Sequence, residues 1–169
     1  NREIDKIEYI ITLRAALINN SSNQKIDMQT LAANIVQQVN AAYTISENRF
    51  ISTMNMQLRT VNSVDDIKGY EHVLQIVDQD KLSKGTPGNM VMAQTQKFGL
   101  NISIGINAVN NMLNNNDNRT AAHELGHTGG LKDNLNGEKD LSNLMTQKKY
   151  IQEKNGNYLL IPPYVPIHG

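Results

Sequence analysis

The sequence predicts an α/β (α+β) domain built on one twisted mixed sheet, and three observations point there. Several short apolar runs read as strands. One long segment carries a helical apolar stripe. The order of elements, strand, helix, strand, strand, strand pair, helix, fits neither an all-α nor an all-β chain. The length of 169 residues falls within the roughly 100 to 200 that one domain usually spans. A single unit with a substantial core is therefore expected.

Taken in order, Ile7 to Ile18 is the first β-rich run, and the polar stretch Asn19 to Lys25 ends it. Met28, Leu31, Ala32, Ile35, Val36, Val39 and Ala42 then recur at helical spacing behind Asp27, which is placed to cap a helix that covers one face of the sheet. Phe50, Met54, Met56 and Leu58 alternate with Ile51, Thr53, Asn55, Gln57 and Arg59, the period of a half-buried strand. His72 to Val77 is short and apolar on both faces, as a central strand would be, with a helix from Val64 onward as the alternative. After the loop Lys84 to Gly88, Met90 to Thr95 and Leu100 to Ile106 read as a strand pair turned at Lys97-Phe98-Gly99. The run Asn114-Asn115-Asn116-Asp117-Asn118 breaks the chain before the last helix.

Composition narrows the function. Sixteen basic residues balance sixteen acidic ones, which leaves no basic footprint for nucleic acid and no charge drive toward anionic lipid. The absence of Cys removes thiol chemistry and Cys-based zinc sites. No run approaches the roughly 18 apolar residues of a membrane span. Asn1 to Asp5 lacks the apolar core of a signal peptide, so the chain is expected either to be cytosolic or to have lost a leader.

The chemistry concentrates in Arg119 to His127, which contains H-E-x-x-H as His123-Glu124-Leu125-Gly126-His127. On a helix, residues four apart lie about 40° apart in rotation and about 6 Å apart in rise, so both imidazoles reach one ion. Glu124 projects beside that ion and is suited to take a proton from a water and deliver it to a leaving amine. The bland alternative is two ordinary histidines on a helix. Against it, two of only four histidines occupy the motif, while His72 and His168 stand alone. The motif also continues Thr128-Gly129-Gly130-Leu131-Lys132-Asp133. Gly130 permits an abrupt helix stop that swings the chain back toward the ion, within reach of Asp133. Glu138 and Asp140 are the rival third ligands, and each needs a longer excursion. Asp133 to Gly137 does not read as a calcium loop, because Leu135 stands where an oxygen ligand is required.

The extended pattern H-E-x-x-H-x-x-G-x-x-D, followed by Met145 in Asp140 to Gln147, resembles the metzincin metallopeptidases, with Asp as third ligand as in their snapalysin-like minority. The resemblance implies one catalytic Zn2+ held by His123, His127 and Asp133 with an open fourth position, Glu124 as general base and acid, and Met145 as an apolar floor beneath the ligands. It implies an upper subdomain over 1–130, carrying the sheet and the active-site helix, and a lower one over 131–169, carrying the Met-turn. It further implies that the active-site helix follows the last strand, and that an edge strand including Val91, Met92, Ala93 and Gln94 lies antiparallel to a bound peptide. The implied activity is zinc endopeptidase action on a peptide or protein substrate, by a monomer that is secreted or exported. The chain departs from the family in having no Tyr two residues after Met145 and in a C-terminal helix that is expected to be short or absent, with Gln147 to Lys154 its only candidate. Alternatives in view are a toxin domain of a larger secreted bacterial protein, a catalytically silent peptide-binding module and a structural zinc protein. Retention of Glu124 weighs against the silent module and the absence of Cys against the structural site.

Overall fold

The computed structural model describes residues 6–83, 91–95, 101–117, 119–129, 131, 149–152 and 158–161, the last two stretches by backbone alone. β1 (Ile7–Asn19) is the long run expected, and its C-terminal half turns alternate side chains to opposite faces. Ala15 and Leu17 join the main core, whereas Ala16 and Ile18 join a small second cluster with Val61. α1 (Met28–Tyr43) starts where Asp27 was placed to cap it: Asp27 Oδ1 accepts the N–H of Thr30 at 3.1 Å. Leu31, Ala32, Ile35 and Val39 form its buried stripe, while Ala42 at the end of the predicted stripe is exposed.

β3 (Phe50–Val61) is two residues longer than its alternation suggested, and a short strand that the sequence reading did not contain, β2 (Ile45–Glu47), pairs antiparallel with it. Asn48 turns the hairpin at φ 50°, a left-handed conformation that Asn tolerates better than most residues. β4 (His72–Val77) is a strand and not the helix held as its alternative; Val64–Asp66 makes only one 3-10 turn. β5 is confined to Ala93–Thr95, so Val91 and Met92 form its lead-in, and Met90 lies outside the described residues. β6 is Asn101–Gly105, with Leu100 and the expected turn at 97–99 also outside them.

These strands form one sheet in the order β2-β3-β1-β4-β6-β5, parallel from β3 through β6 and antiparallel at both edges. Because β1 and β3 are parallel neighbours, the chain must cross between them, and α1 makes the crossover. Leu17, Leu31, Ile35, Leu74, Ile76, Ile102 and Ile104 are fully buried; each removes enough apolar surface from water to contribute about 1.5–3 kcal/mol.

Two further corrections concern helices. Ile106 does not extend the last strand but opens α2 (Ile106–Leu113), whose Ala108, Val109 and Met112 are buried against the same core as α1. The motif helix, α3 (Thr120–Thr128), therefore follows β6 only after an intervening helix. Residues 149–152, within the only stretch that offered a C-terminal helix, are instead β7 (Lys149–Gln152), paired antiparallel with β8 (Tyr158–Ile161). The intervening Asn155-Gly156 is the dipeptide that favours a hairpin turn over helix continuation. Among the described residues, no helix is long and apolar enough to cross a membrane.

Candidate metal centre

The motif helix is held at its first turn by one side chain just before it and by two that are distant in sequence. Asp117 is buried, and its Oδ1 accepts the N–H groups of Arg119 and Thr120, each at 3.0 Å, while Oδ2 accepts the Thr120 hydroxyl. From α1, Gln38 Oε1 accepts the N–H of Ala121 at 3.2 Å, and the Tyr43 hydroxyl donates to the carbonyl of Ala122 at 2.6 Å. Burial pushes the Tyr43 phenol up to about 12, so it remains a donor throughout the neutral range. A helix start leaves N–H groups without intrahelical partners, and here an acidic cap and a buried amide take three of them. Ala121, Ala122 and Leu125 then seal α3 onto the core.

The opposite face carries the polar residues of the motif. His123 and His127 are half-buried, Glu124 is buried, and one ligand atom from each lies within 4.8 Å of the others. The two Nε2 atoms are 3.1 Å apart. Two zinc–imidazole bonds of about 2.05 Å at a tetrahedral angle would separate them by about 3.3 Å. His127 Nδ1 lies 2.8 Å from the carbonyl of Leu131. A carbonyl only accepts, so Nδ1 is the donor there, and in the neutral imidazole that tautomer leaves the lone pair on Nε2, facing His123.

The Leu131 carbonyl reaches that nitrogen because α3 stops where the glycines begin. The helix ends at Thr128, and the N–H of Leu131 turns back to the carbonyl of Gly126 at 2.9 Å. Gly130 itself, like the expected third ligand Asp133, its rivals Glu138 and Asp140, and Met145, lies outside the described residues.

Glu124 also has a partner the sequence reading did not include. Thr95 Oγ1 is 2.5 Å from Glu124 Oε2 and 3.0 Å from the Glu124 carbonyl. A hydroxyl has one proton to give, and the nearer, charged acceptor is the stronger one. Thr95 is on β5, so this bond joins the motif helix to the edge of the sheet. Among the described residues, β5 pairs only with β6. Its lead-in is fixed from behind: Gln79 Nε2 donates to the Val91 carbonyl at 2.7 Å, and the N–H of Gly105 donates to that of Met92 at 2.8 Å. A Cβ at Gly105 would stand 2.7 Å from Gln79 Oε1 and 3.1 Å from the Met92 carbonyl, so the close approach requires glycine. Met92 is buried, Ala93 is half-buried, and Gln94 uses its side-chain oxygen to accept the N–H of Ser83 at 2.9 Å.

The donor set fits a divalent ion that accepts imidazole and carboxylate: two converging nitrogens, one backed by a carbonyl, with a carboxylate alongside. No family, curated protein or solved structure matches the chain.

Proposed function

We propose that this chain is a zinc-dependent endopeptidase of metzincin type, with His123, His127 and Asp133 as the metal ligands and Glu124 as the general base and acid. The observation that carries the reading is the convergence of His123 and His127 Nε2 at 3.1 Å, with His127 Nδ1 held by a backbone carbonyl and Glu124 beside them. When bound, zinc supplies Lewis-acid polarisation of a scissile carbonyl and makes a water acidic enough to attack near neutral pH.

The remaining steps belong to the protein. Glu124 takes the proton from the attacking water and returns it to the leaving amine, which requires a carboxylate held in one orientation. Thr95 holds Oε2, leaving Oε1 for proton transfer. An extended peptide laid along the outer edge of β5 would receive main-chain hydrogen bonds there and pass beside Glu124, because Thr95 belongs both to that strand and to the carboxylate. Val91, Met92, Ala93 and Gln94 are assigned to that substrate edge, and Met145 to the floor beneath the ligands.

Elemental analysis of protein purified without chelator, combined with digestion of a mixed peptide library, tests the proposal. One zinc per chain and cleavage abolished by chelation and restored by zinc are expected. Absence of transition metal would overturn it, and so would a zinc-loaded protein that leaves the library uncut.

A further inference from the structure

We propose that Gln94 sets a side-chain preference of the substrate: the residue that lies opposite it on the outer edge of β5 carries a hydrogen-bond acceptor, a carboxylate or a side-chain amide. The inference rests on the endopeptidase reading for its occupant, an extended peptide, and adds the chemistry of one position in that peptide.

The ladder between β5 and β6 fixes which main-chain groups face outward. Ala93 lies opposite Ile104 and Gln94 opposite Ser103 in antiparallel register, and the N–H of Gly105 donates to the Met92 carbonyl at 2.8 Å. Met92 and Gly105 are thus a hydrogen-bonded pair. Such pairs alternate along an antiparallel ladder, so Gln94 and Ser103 are the next one. The N–H and C=O of Gln94 point into the sheet, while those of Ala93 and Thr95 point out of it. A peptide that joins this edge antiparallel makes its hydrogen-bonded pairs with Ala93 and Thr95. Its residue between them meets Gln94 in a non-hydrogen-bonded pair, where Cα atoms approach to about 4.5 Å and side chains are closest.

Both members of that pair project to the face away from α3. Thr95 turns toward Glu124, and Ala93 packs with Ile102 and Ile104 on the core side, so alternation sends Gln94 to the other. There its amide is half used. Oε1 accepts the N–H of Ser83 at 2.9 Å, and Nε2 has no partner among the described residues. An amide nitrogen has two protons to give and accepts nothing. With its oxygen held by a main-chain group, Gln94 offers the substrate donors alone. The same face carries a polar row that ends at this edge: Asn20 Nδ2 donates to Gln75 Oε1 at 3.0 Å, and Gln75 Nε2 to Ser103 Oγ at 2.8 Å. An aliphatic side chain laid over Nε2 would shield its protons from water without replacing the lost bonds, whereas a carboxylate gains a charge-assisted one. Because Thr95, the next residue, holds Glu124, the preferred position stands at one fixed distance from the bond that is cut.

Two measurements on the whole chain test this, using fluorescent octapeptides of Ala and Val through which Glu, Gln, Leu or Lys is walked position by position. Binding is read by anisotropy in chelator, and cleavage is read after zinc is restored. At one position Glu and Gln should exceed Leu about threefold to tenfold in affinity and in kcat/KM, with Lys poorest. Gln94→Glu keeps an acceptor for the Ser83 N–H but replaces the donors by an acceptor, so Lys should become the preferred residue at that same position. A misfolded variant would weaken every peptide and invert nothing. A ranking that Gln94→Glu leaves unchanged overturns the proposal, and cleavage of those peptides then leaves the endopeptidase reading standing. Peptides bound with the expected inversion but uncut in zinc overturn the endopeptidase reading alone. Peptides neither bound nor cut overturn both.

Discussion

Glu124 is surrounded so that its carboxylate has one orientation: it is buried, bonded to Thr95 through Oε2, and flanked by two imidazoles on its own helix. On the proposed mechanism, Glu124→Ala should retain zinc and the fold while losing about 10² to 10⁴ in kcat, the usual weight of general acid–base catalysis. Loss of zinc by elemental analysis in that variant would make Glu124 a ligand instead. Thr95 supplies orientation and no chemistry. Thr95→Val should therefore lower kcat about tenfold with KM little changed, and Thr95→Ser, which keeps the hydroxyl, should recover most of the loss. A Ser variant as slow as the Val variant would show that the hydroxyl alone does not orient the carboxylate and would overturn this role for the hydrogen bond. Asp133→Ala should lose both zinc and cleavage, and Asp133→His should restore part of each by supplying a neutral imidazole in its place. Zinc lost in Glu138→Gln or Asp140→Asn but retained in Asp133→Ala would transfer the third ligand to a later segment.

At the scale of elements, α3 depends on groups outside itself. It spans only Thr120–Thr128, shorter than the roughly 12 to 15 residues an isolated helix needs in water. Asp117 occupies its N–H groups from a buried position, so Asp117→Ala should lower unfolding free energy by about 1–2 kcal/mol, measured by denaturant titration. The same variant should weaken zinc binding, since both histidines ride on that helix. The Asn/Asp run before the motif advertised such a cap, and the H-E-x-x-H spacing advertised the paired imidazoles, because both are local relations that a sequence displays. Gln38, Tyr43 and Thr95 lie 83, 79 and 29 residues from their partners in α3, and no periodicity encodes those meetings. The strands β1, β3 and β4 were legible from their apolar runs and α1 from its stripe. α2 was not, because Ile106, Val109 and Met112 stand among four Asn and Ala residues and directly continue the apolar run of β6. β7 lay within the only stretch that offered a C-terminal helix, and its pairing was not legible because a strand's partner, here β8, is not a local relation.

At the scale of the whole molecule, the described residues form two clusters on opposite faces of the sheet: α1, α2 and α3 contribute to the main core, while Ala16, Ile18 and Val61 are packed by Ile67 and Val73 on the other face. Arg59, the register partner of Ala16 in that second cluster, makes an ion pair there. Glu71, only 5% exposed, receives Arg59 from β3 at 2.6 and 2.8 Å and the N–H of Lys68 at 2.7 Å, while Arg59 also donates to the Asp66 carbonyl. One carboxylate thereby binds β3 to the turn that leads into β4. The guanidinium hydrogen bond, reinforced by the Lys68 N–H and outweighing burial, holds the Glu71 carboxyl at about 2, below its ordinary 4.5. With the native value depressed, the stabilisation is fully present above pH 4.5, where both folded and unfolded chains are ionised. It is lost as pH falls from 4.5 through about 2, because the unfolded chain takes up the proton first. Asp27 and Asp78, also lowered by hydrogen bonds, act in the same direction and steepen the overall acid sensitivity. Comparison with Glu71→Gln isolates the Arg59 contact: in chelator, so that metal loss does not enter, wild type should exceed the variant in denaturant-measured stability at pH 7, and the gap should narrow steadily between pH 4.5 and 2.5. A gap that stays constant over that range would show that the carboxylate holds the two strands by packing and not through its charge.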